Sequence, residues 1–460
     1  MSTHTRAADA EHLASPTARI FTVPPGKPFL DCLARAILSG DLASGIGVSN
    51  PLGLADITLL LPTRRATRAL QDAFLKHAGT RALIMPRIRA IADGEDELTL
   101  LSGLAGLSPL ATDDADARPA ISPLERRLIL TKLVLAWSER MRATPAGPDG
   151  DLEPYAAAGG ATPAQAAHLA AELARLMDIV ETENASLADL ANLVPETYSE
   201  HWQRTLEFLK IVTQFWPAHL DEYGLASPMA SRNLTLARET RRLIENPPRA
   251  PVIVAGVTGS IPATAELMRA VARLPNGYIV LPGLDLSLDD ASWEHIRQAA
   301  TGDHAAARLQ RPVGAEHPQH GLKVLLDRLG ATRADVTTLP GAEPDQPAAD
   351  RLRFVAEAMR PATTTAEWHT YAHSVDRERL TAALAGIDLI DAPSAQDEAE
   401  AIALILREAL ETPGRTAALV SPDRLLARRV AARLATWGIR VDDSAGKPFA
   451  KTVPGAFLDL

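Results

Sequence analysis

Residues 386–449 alternate short apolar runs with helical patterns, and this alternation constrains the possible folds more strongly than any other stretch of the chain. Apolar runs of strand length lie at 387–390, 416–420 and 439–441. Ser394 and Asp423 precede the two helical patterns between these runs, and Gly438 ends the second pattern. Parallel strands cannot be joined by a tight turn and need crossovers of this length. The stretch therefore predicts a parallel α/β unit.

A similar alternation occurs earlier, on both sides of a long helical region. Apolar runs predict strands at 19–23, 56–61, 252–254 and 278–281. The helical region, 122–245, opens with the capping-box pattern Ser122-Pro123-Leu124-Glu125. Its three predicted apolar faces are Leu124, Leu128, Val134 and Trp137; Leu169, Leu173, Leu176 and Val180; and Trp202, Leu206, Leu209 and Phe215. The sequence thus predicts a parallel-sheet α/β domain with a helical insertion, followed by the start of a second α/β domain.

Charge and cysteine content narrow the class of protein. The formal net charge of −10 argues against a basic coat over the whole protein, although local basic patches are compatible with it. Cys32 is the single cysteine, so this chain alone cannot form a disulfide framework or a four-thiolate metal site. Residues 1–18 are polar, unlike a secretion signal, and we expect them to be disordered. No apolar run reaches membrane-spanning length, and together these features predict a cytoplasmic protein.

The segment 24–28 lies between a predicted strand and a predicted helix, where nucleotide-binding proteins carry a phosphate loop. That loop has the pattern G-x-x-x-x-G-K-[ST], because glycines let backbone N–H groups surround phosphates and the hydroxyl binds magnesium. Gly26 and Lys27 match the pattern, whereas Thr22 replaces the first glycine and Pro28 replaces the hydroxyl residue. Prolines also lack the N–H donors that such a loop uses. The segment predicts a degenerate nucleotide site.

Two further clusters have residue types that can bind metals. Asp285, Asp289 and Asp290 follow the predicted strand at 278–281, and His317 and His320 stand three residues apart. Neither set includes a complete group of ligands, and short acidic or histidine-containing loops are common on protein surfaces. We interpret both as exposed loops and predict no metal site from them.

The order of these segments resembles that of UvrD/Rep-type superfamily 1 helicases. The residues Leu419–Arg424 and Asp442–Gly446 more closely resemble the AddB family, the second subunits of bacterial AddAB helicase-nucleases. The resemblance covers nearly the whole chain, in patches. It implies a disordered segment (1–18), a first motor-like domain in two parts (19–120 and 247–338) around a helical subdomain (121–246), a helical connector (339–385) and the start of a second motor-like domain (386–460).

The same resemblance implies that the hydrolytic residues are missing. Superfamily 1 helicases carry Asp-Glu after the strand that is 252–254 here, and Gly-Asp after the strand that is 278–281 here. This chain has Ala255-Gly256 and Pro282-Gly283 at those places. With Gly26-Lys27-Pro28, these pairs form three sites, called the stations below, at which catalytic groups are replaced. We therefore predict no catalytic residue and no ATP hydrolysis.

One helix start resembles a DNA-contacting motif. Thr63, Arg64 and Arg65, with Arg68 one turn later, are similar to helicase motif Ia, which contacts single-stranded DNA. A hydroxyl and guanidinium groups at a helix N-terminus suit phosphate oxygens. Spacing alone favours another explanation, the solvated basic face of a helix, and the resemblance makes the two explanations equally good.

The resemblance implies a DNA-binding, ATPase-inactive scaffold that pairs with an AddA-like helicase-nuclease subunit to process single- and double-stranded DNA ends for recombination repair. In that family a nuclease domain with an iron–sulfur cluster and magnesium follows. We expect those cofactors outside this chain, which then represents an N-terminal portion of a longer protein. The alternative is an active nucleotide-binding α/β enzyme, such as an NTPase or a nucleotide-sugar enzyme, that uses the 24–28 loop.

Overall fold

The computed structural model describes residues 19–42, 51–79, 82–91, 118–143, 161–185, 205, 208–296, 314–444, 446, 449 and 452–458. The chain divides into two compact units, residues 1–383 and 384–460. The predictions for residues 1–18, Trp202 and Leu206 lie outside the described residues.

The first unit is built on a six-stranded parallel sheet. Its strands are β1 (Arg19–Val23), β2 (Thr58–Leu61), β3 (Arg87–Ala90), β4 (Val252–Ala255), β5 (Gly277–Pro282) and β6 (Val336–Thr338). Across the sheet they follow the order β3-β2-β4-β5-β1-β6. The predicted α/β class is confirmed. The strand predicted at 56–61 begins two residues later, because a helix ends at Asp56.

Thirteen helices are described from residue 29 to residue 384. They are α1 (Phe29–Ser39), α2 (Pro51–Asp56), α3 (Arg64–Ala78), α4 (Pro123–Ala143), α5 (Pro163–Thr182), α6 (Trp216–Tyr223), α7 (Pro228–Glu245), α8 (Pro262–Ala272), α9 (Asp290–Glu294), α10 (His320–Leu329), α11 (Gln346–Ala358), α12 (Glu367–Ser374) and α13 (Arg377–Leu384). A single π-helical turn, Ile211–Phe215, precedes α6. No helix among the described residues is long and apolar enough to cross a membrane.

Both faces of the sheet are covered, as the continuous apolar runs of its strands require. Alternate residues of each strand point to opposite faces. On one face, Leu59 and Ile253 pack with Leu33 of α1 and Phe74 of α3. On the other face, the sheet packs against α7, α8 and α10 through a core that includes Met268. This two-sided burial fixes the strands, and the strands in turn position the segments that follow at their carboxyl ends.

The helical region has a separate core, and two of its predicted faces are only partly correct. Leu124 and Leu128 of α4 are 69% and 55% exposed, whereas Val134 is buried as predicted and Leu130, outside the predicted face, is also buried. Apolar residues occur on every side of α4, so their spacing did not identify the side that packs. In α5 the buried positions are Ala166, Ala170, Leu173 and Met177, while Leu169 and Leu176 are exposed. Small alanine side chains allow α4 and α5 to approach closely, which the search for large apolar residues missed.

The second unit contains the two predicted helices but not the predicted strands. The helices are α14 (Ala395–Leu410) and α15 (Arg424–Thr436), followed by the short α16 (Val453–Leu458). α14 and α15 pack through Ala403 and Val430, among others. The segments 387–390, 416–420 and 439–441 have no regular secondary structure and pair with no strand in the described part of the chain. The strand prediction is therefore wrong for these segments, because an apolar pattern does not by itself provide the hydrogen-bonded neighbour that makes a strand.

Candidate functional site

The three stations lie side by side at the carboxyl edge of the sheet. Because β4, β5 and β1 are consecutive neighbours, the segments that follow them leave the sheet at the same edge. Hydrogen bonds join these segments: the Gly256 N–H donates to the Val280 carbonyl at 3.0 Å, and the Gly283 N–H donates to the Val23 carbonyl at 2.9 Å. Ligands of open parallel α/β sheets bind at this edge. The edge is therefore the candidate site.

The first station is a tight turn that offers few donors to an anion. The Lys27 N–H donates to the Pro24 carbonyl at 3.3 Å, and Gly26 has a φ of 84°, a conformation that glycine adopts readily. Helix α1 then begins directly after Pro28, whose side chain forms no cap. Prolines at 24, 25 and 28 have no N–H groups. The turn therefore lacks the ring of donors that surrounds a bound phosphate.

Pro25 and Phe29 partly fill the crevice between the stations. A Cβ atom at Gly256 would lie 3.3 Å from Cε1 of Phe29, and one at Gly283 would lie 3.3 Å from Cγ of Pro25. Phe29 also packs against the core on the α1 side of the sheet. Apolar atoms thus lie against the backbone at Gly256 and Gly283. Sequence reasoning missed both residues, although a large aromatic directly after Gly26-Lys27-Pro28 was a visible signal.

Thr22, which stands in place of the first glycine of the phosphate-loop pattern, forms hydrogen bonds within the protein. Its side chain is fully buried, and its hydroxyl donates to the Leu281 carbonyl at 3.3 Å. The same oxygen accepts the Leu284 N–H at 3.0 Å. The hydroxyl therefore joins β1 to the segment after β5 and is not directed at a ligand. This threonine has a structural role at this edge.

The groups implied by the resemblance do not fit the residues present. Magnesium at a nucleotide site needs a hydroxyl and carboxylates, but Pro28, Ala255 and Gly256 supply neither. An iron–sulfur cluster needs several thiolates, whereas Cys32 is the single cysteine and is buried in α1. The stations are therefore unsuited to either group.

The predicted DNA-contacting residues form the start of α3, next to the partly filled crevice. Thr63 is the N-cap of that helix: its hydroxyl oxygen accepts the Ala66 N–H at 3.2 Å. Thr63, Arg64, Arg65 and Arg68 are all exposed. The preceding residue, Pro62, contributes a Cδ atom 3.7 Å from the position of a Cβ on Gly256. The structure therefore brings this basic helix start close to the station at Ala255-Gly256.

The acidic cluster after β5 consists of structural groups. Asp285 accepts the N–H groups of Ser287 and Leu288 in a turn. Asp289 caps α9 and pairs with buried Arg360 at 2.5 Å. Burial raises the pKa of Asp289, but hydrogen bonds from Ser292 and Arg360 outweigh that effect and hold it below the ordinary value.

The histidines at 317 and 320 also belong to a structured turn before α10. The Gln319 N–H donates to Nδ1 of His317 at 3.1 Å, and Oε1 of Gln319 accepts the Asp285 N–H at 3.0 Å. Burial lowers the pKa of His317, which favours the neutral ring. Among the described residues, no group of three or more His, Cys, Asp or Glu side chains could hold a metal ion.

A separate cleft of 630 Å³ lies between α5, α7 and α8. Its polar lining includes Glu181, Asn233 and Glu266. Oε2 of Glu181 accepts the Ser227 hydroxyl at 2.5 Å, and the Glu181 carbonyl accepts the Asn233 side-chain amide at 2.8 Å. Burial raises the pKa of Glu181 above its ordinary value, against the opposing effect of the Ser227 hydrogen bond. These contacts join α5 to α7.

The sequence matches no protein-family model, and no curated protein is significantly similar to it.

Proposed function

We propose that this chain is a helicase-like, ATPase-inactive subunit of a complex that processes DNA double-strand ends for homologous recombination, as in the AddB family. One observation carries the proposal. The segments that would form a hydrolytic site meet at one edge of a parallel sheet, yet Pro25 and Phe29 partly fill the space between them. Such an arrangement suits a scaffold that keeps the architecture of a motor domain without its chemistry.

The missing chemistry can be stated group by group. Hydrolysis at this class of site needs a phosphate cradle, a hydroxyl and an acid for magnesium, and a group that orients water. Here the cradle is a proline-rich turn, Pro28 replaces the hydroxyl residue, and Ala255-Gly256 replace the acids. A neighbouring side chain could compensate for the loss of one group. The loss of all of them leaves no position for the metal.

DNA is the proposed ligand of the helix start at Thr63, Arg64, Arg65 and Arg68. The protein as a whole is acidic, so affinity for phosphates has to come from a local basic surface. Backbone N–H groups at the start of α3 and the nearby guanidinium groups are suited to phosphate oxygens. An AddA-like helicase-nuclease subunit is the proposed partner. Magnesium and an iron–sulfur cluster would be bound in such a complex by residues other than those of this chain.

Nucleotide binding and turnover test the proposal directly. We expect no saturable binding of a fluorescent ATP analogue and no ATP turnover above a mock preparation, with or without single-stranded DNA. Replacing Ala255 and Gly256 by Asp and Glu restores no turnover, because the phosphate turn is unchanged.

The matched variant is Lys27→Ala, which removes the one cation of the first station. Turnover by the unmodified chain that disappears in Lys27→Ala would contradict the proposal. That result would favour the alternative of an active nucleotide-binding enzyme.

A further inference from the structure

A pair of histidines on α12 has the geometry of a metal-binding pair. His369 and His373 are one helical turn apart, and both are exposed. Their Nε2 atoms lie 3.2 Å from each other, and their ring planes are inclined at 81°. Residues at positions i and i+4 lie on the same side of a helix, so both rings can reach one ligand. The pair is far along the chain from the three stations and has no part in the proposed function.

The distance between the two Nε2 atoms matches the distance expected between two nitrogen ligands of one transition-metal ion. Zinc binds imidazole nitrogen at about 2.0–2.1 Å and prefers tetrahedral geometry. Two nitrogens 3.2 Å apart would subtend an angle of about 100° at an ion held at those distances. That angle is close to the tetrahedral value. Two histidines at i and i+4 on one helix face also provide the zinc ligands of the H-E-x-x-H motif.

The helix that carries the pair is fixed in place by neighbouring contacts. Nε1 of Trp368 donates to the Glu357 carbonyl of α11 at 2.6 Å. The guanidinium of Arg353, also on α11, lies 5.9 Å from the centre of the Tyr371 ring. Both contacts lie on the side of α12 that meets α11, and the histidines project elsewhere. An ion would therefore bind two ligands that already share a rigid backbone, which lowers the entropy cost of binding.

We propose that His369 and His373 bind one divalent transition-metal ion of the zinc type through their Nε2 atoms. Water or a group from another molecule would complete the coordination. Hard ions such as Mg²⁺ and Ca²⁺ prefer oxygen ligands and do not bind here. Without a metal, one neutral ring donates its Nε2–H to the Nε2 of the other, which is the contact the structure records.

Titration of the full chain with Zn²⁺ tests the site, with Mg²⁺ as a second titrant. We expect saturable binding of one Zn²⁺ by calorimetry, with affinity reduced roughly tenfold or more in His369→Gln and in His373→Gln. His168→Gln is the matched control, because His168 is a single exposed histidine on α5. We expect His168→Gln to bind Zn²⁺ with the affinity of the unmodified chain. Circular dichroism confirms that each variant is folded.

Chemical modification locates the ion independently of affinity. Zn²⁺ should protect His369 and His373, but not His168, from acylation by diethylpyrocarbonate, as read by peptide mass spectrometry. Equal affinity in the unmodified chain and both pair variants would overturn the proposal. So would the absence of saturable binding at millimolar Zn²⁺, or protection that does not include these two residues.

Discussion

The two units of the chain contain the same kind of apolar run, but among the described residues these runs form paired strands only in the first unit. In the first unit, Leu61 of β2 and Val254 of β4 are fully buried in a paired sheet. In the second unit, Leu389 is 96% exposed and Val420 is 93% exposed. Both residues lie in segments that pair with no strand in the described part of the chain. Sequence alone does not distinguish the two cases.

The difference shows what a strand requires beyond its own residues. β4 has a partner on each side and a helix layer on each face, so every apolar side chain has a neighbour. The second unit buries residues mainly where α14 meets α15, and its unpaired segments contribute single residues such as Leu419 and Ile439 to that small core. Apolar runs of this kind therefore mark segments able to pair, and the surroundings decide whether they do.

The largest predicted effect contrasts one leucine from each unit. Leu61→Ala should lower the free energy of unfolding of the first unit by about 2–5 kcal/mol, because it leaves a cavity in a packed core. Leu389→Ala should change stability by less than about 0.5 kcal/mol, because the side chain is already in water. Denaturant titration of both variants measures the difference. Similar losses in the two variants would mean that residue 389 is buried in solution, and the contrast between the units would disappear.

A smaller effect is expected for glycine replacements in the two units. Gly256→Ala should cost about 1–3 kcal/mol, because its φ is 71° and the new Cβ would press on Phe29. Gly414→Ala is the matched change, since its φ is 79° but no atom lies within 4 Å of the new Cβ. It should cost only the backbone strain, about 1 kcal/mol.

The part of the Gly256 effect that comes from the filled crevice can be isolated. Adding Phe29→Ala removes the contact, so the penalty of Gly256→Ala in that background should fall to the value for Gly414→Ala. The three variants and the unmodified chain form a cycle that is measured by thermal or chemical unfolding. Full additivity of the two changes would mean that Phe29 does not fill the crevice.

DNA binding should also separate the units. Arg64→Ala with Arg65→Ala should weaken binding of single-stranded DNA and reduce the salt slope by about 0.7 for each lost phosphate contact. Thr63 still caps α3, so the melting temperature should change little. Arg428→Ala with Arg429→Ala removes two exposed arginines of α15 and serves as the control. Equal salt slopes in the two double variants would identify the α3 arginines as an ordinary solvated face.

The smallest predicted effect concerns the buried carboxyl that joins α5 to α7. Because the pKa of Glu181 is raised in the folded state, its ionisation destabilises the protein as pH rises above the ordinary value of 4.5. Glu181→Gln should therefore raise the melting temperature by roughly 1–2 °C near neutral pH. The gain should vanish at about pH 4, where the carboxyl is protonated in both states.

The sequence predicted β1, β2, β4 and β5 because each is an apolar run, whereas β3 and β6 contain charged or polar residues and were missed. Arg19–Val23 matches β1 residue for residue, and the runs at 252 and 278 identify β4 and β5. The helical region was harder, because α4 has apolar residues on all sides and alanines form the contact surface of α5. Packing between helices depends on which small residues face each other, and periodicity does not report that.

That the three stations form a degenerate nucleotide site stays a prediction, but the contacts around them could not be read from the sequence. The absent glycine, hydroxyl and carboxylates can be read directly from positions 22, 28, 255 and 256. That Phe29 and Pro25 meet Gly256 and Gly283 depends on strands far apart in the chain becoming neighbours. Contacts between distant segments require the strand order, which an unaligned sequence does not contain. The His369 and His373 pair is the opposite case, since its i, i+4 spacing can be read directly from the sequence.

The buried hydroxyl of Thr22 is one reason why single substitutions would not build a nucleotide site at this edge of the sheet. Replacing Thr22 by glycine would remove the two hydrogen bonds of its hydroxyl group, to Leu281 of β5 and to Leu284 after that strand. An acidic residue at Gly256 would require a strained backbone and the displacement of Phe29. Each change taken alone would weaken the fold, and neither would by itself create a binding site. This edge of the sheet should therefore accept substitutions at exposed positions more easily than substitutions that introduce ligands for a metal or a phosphate.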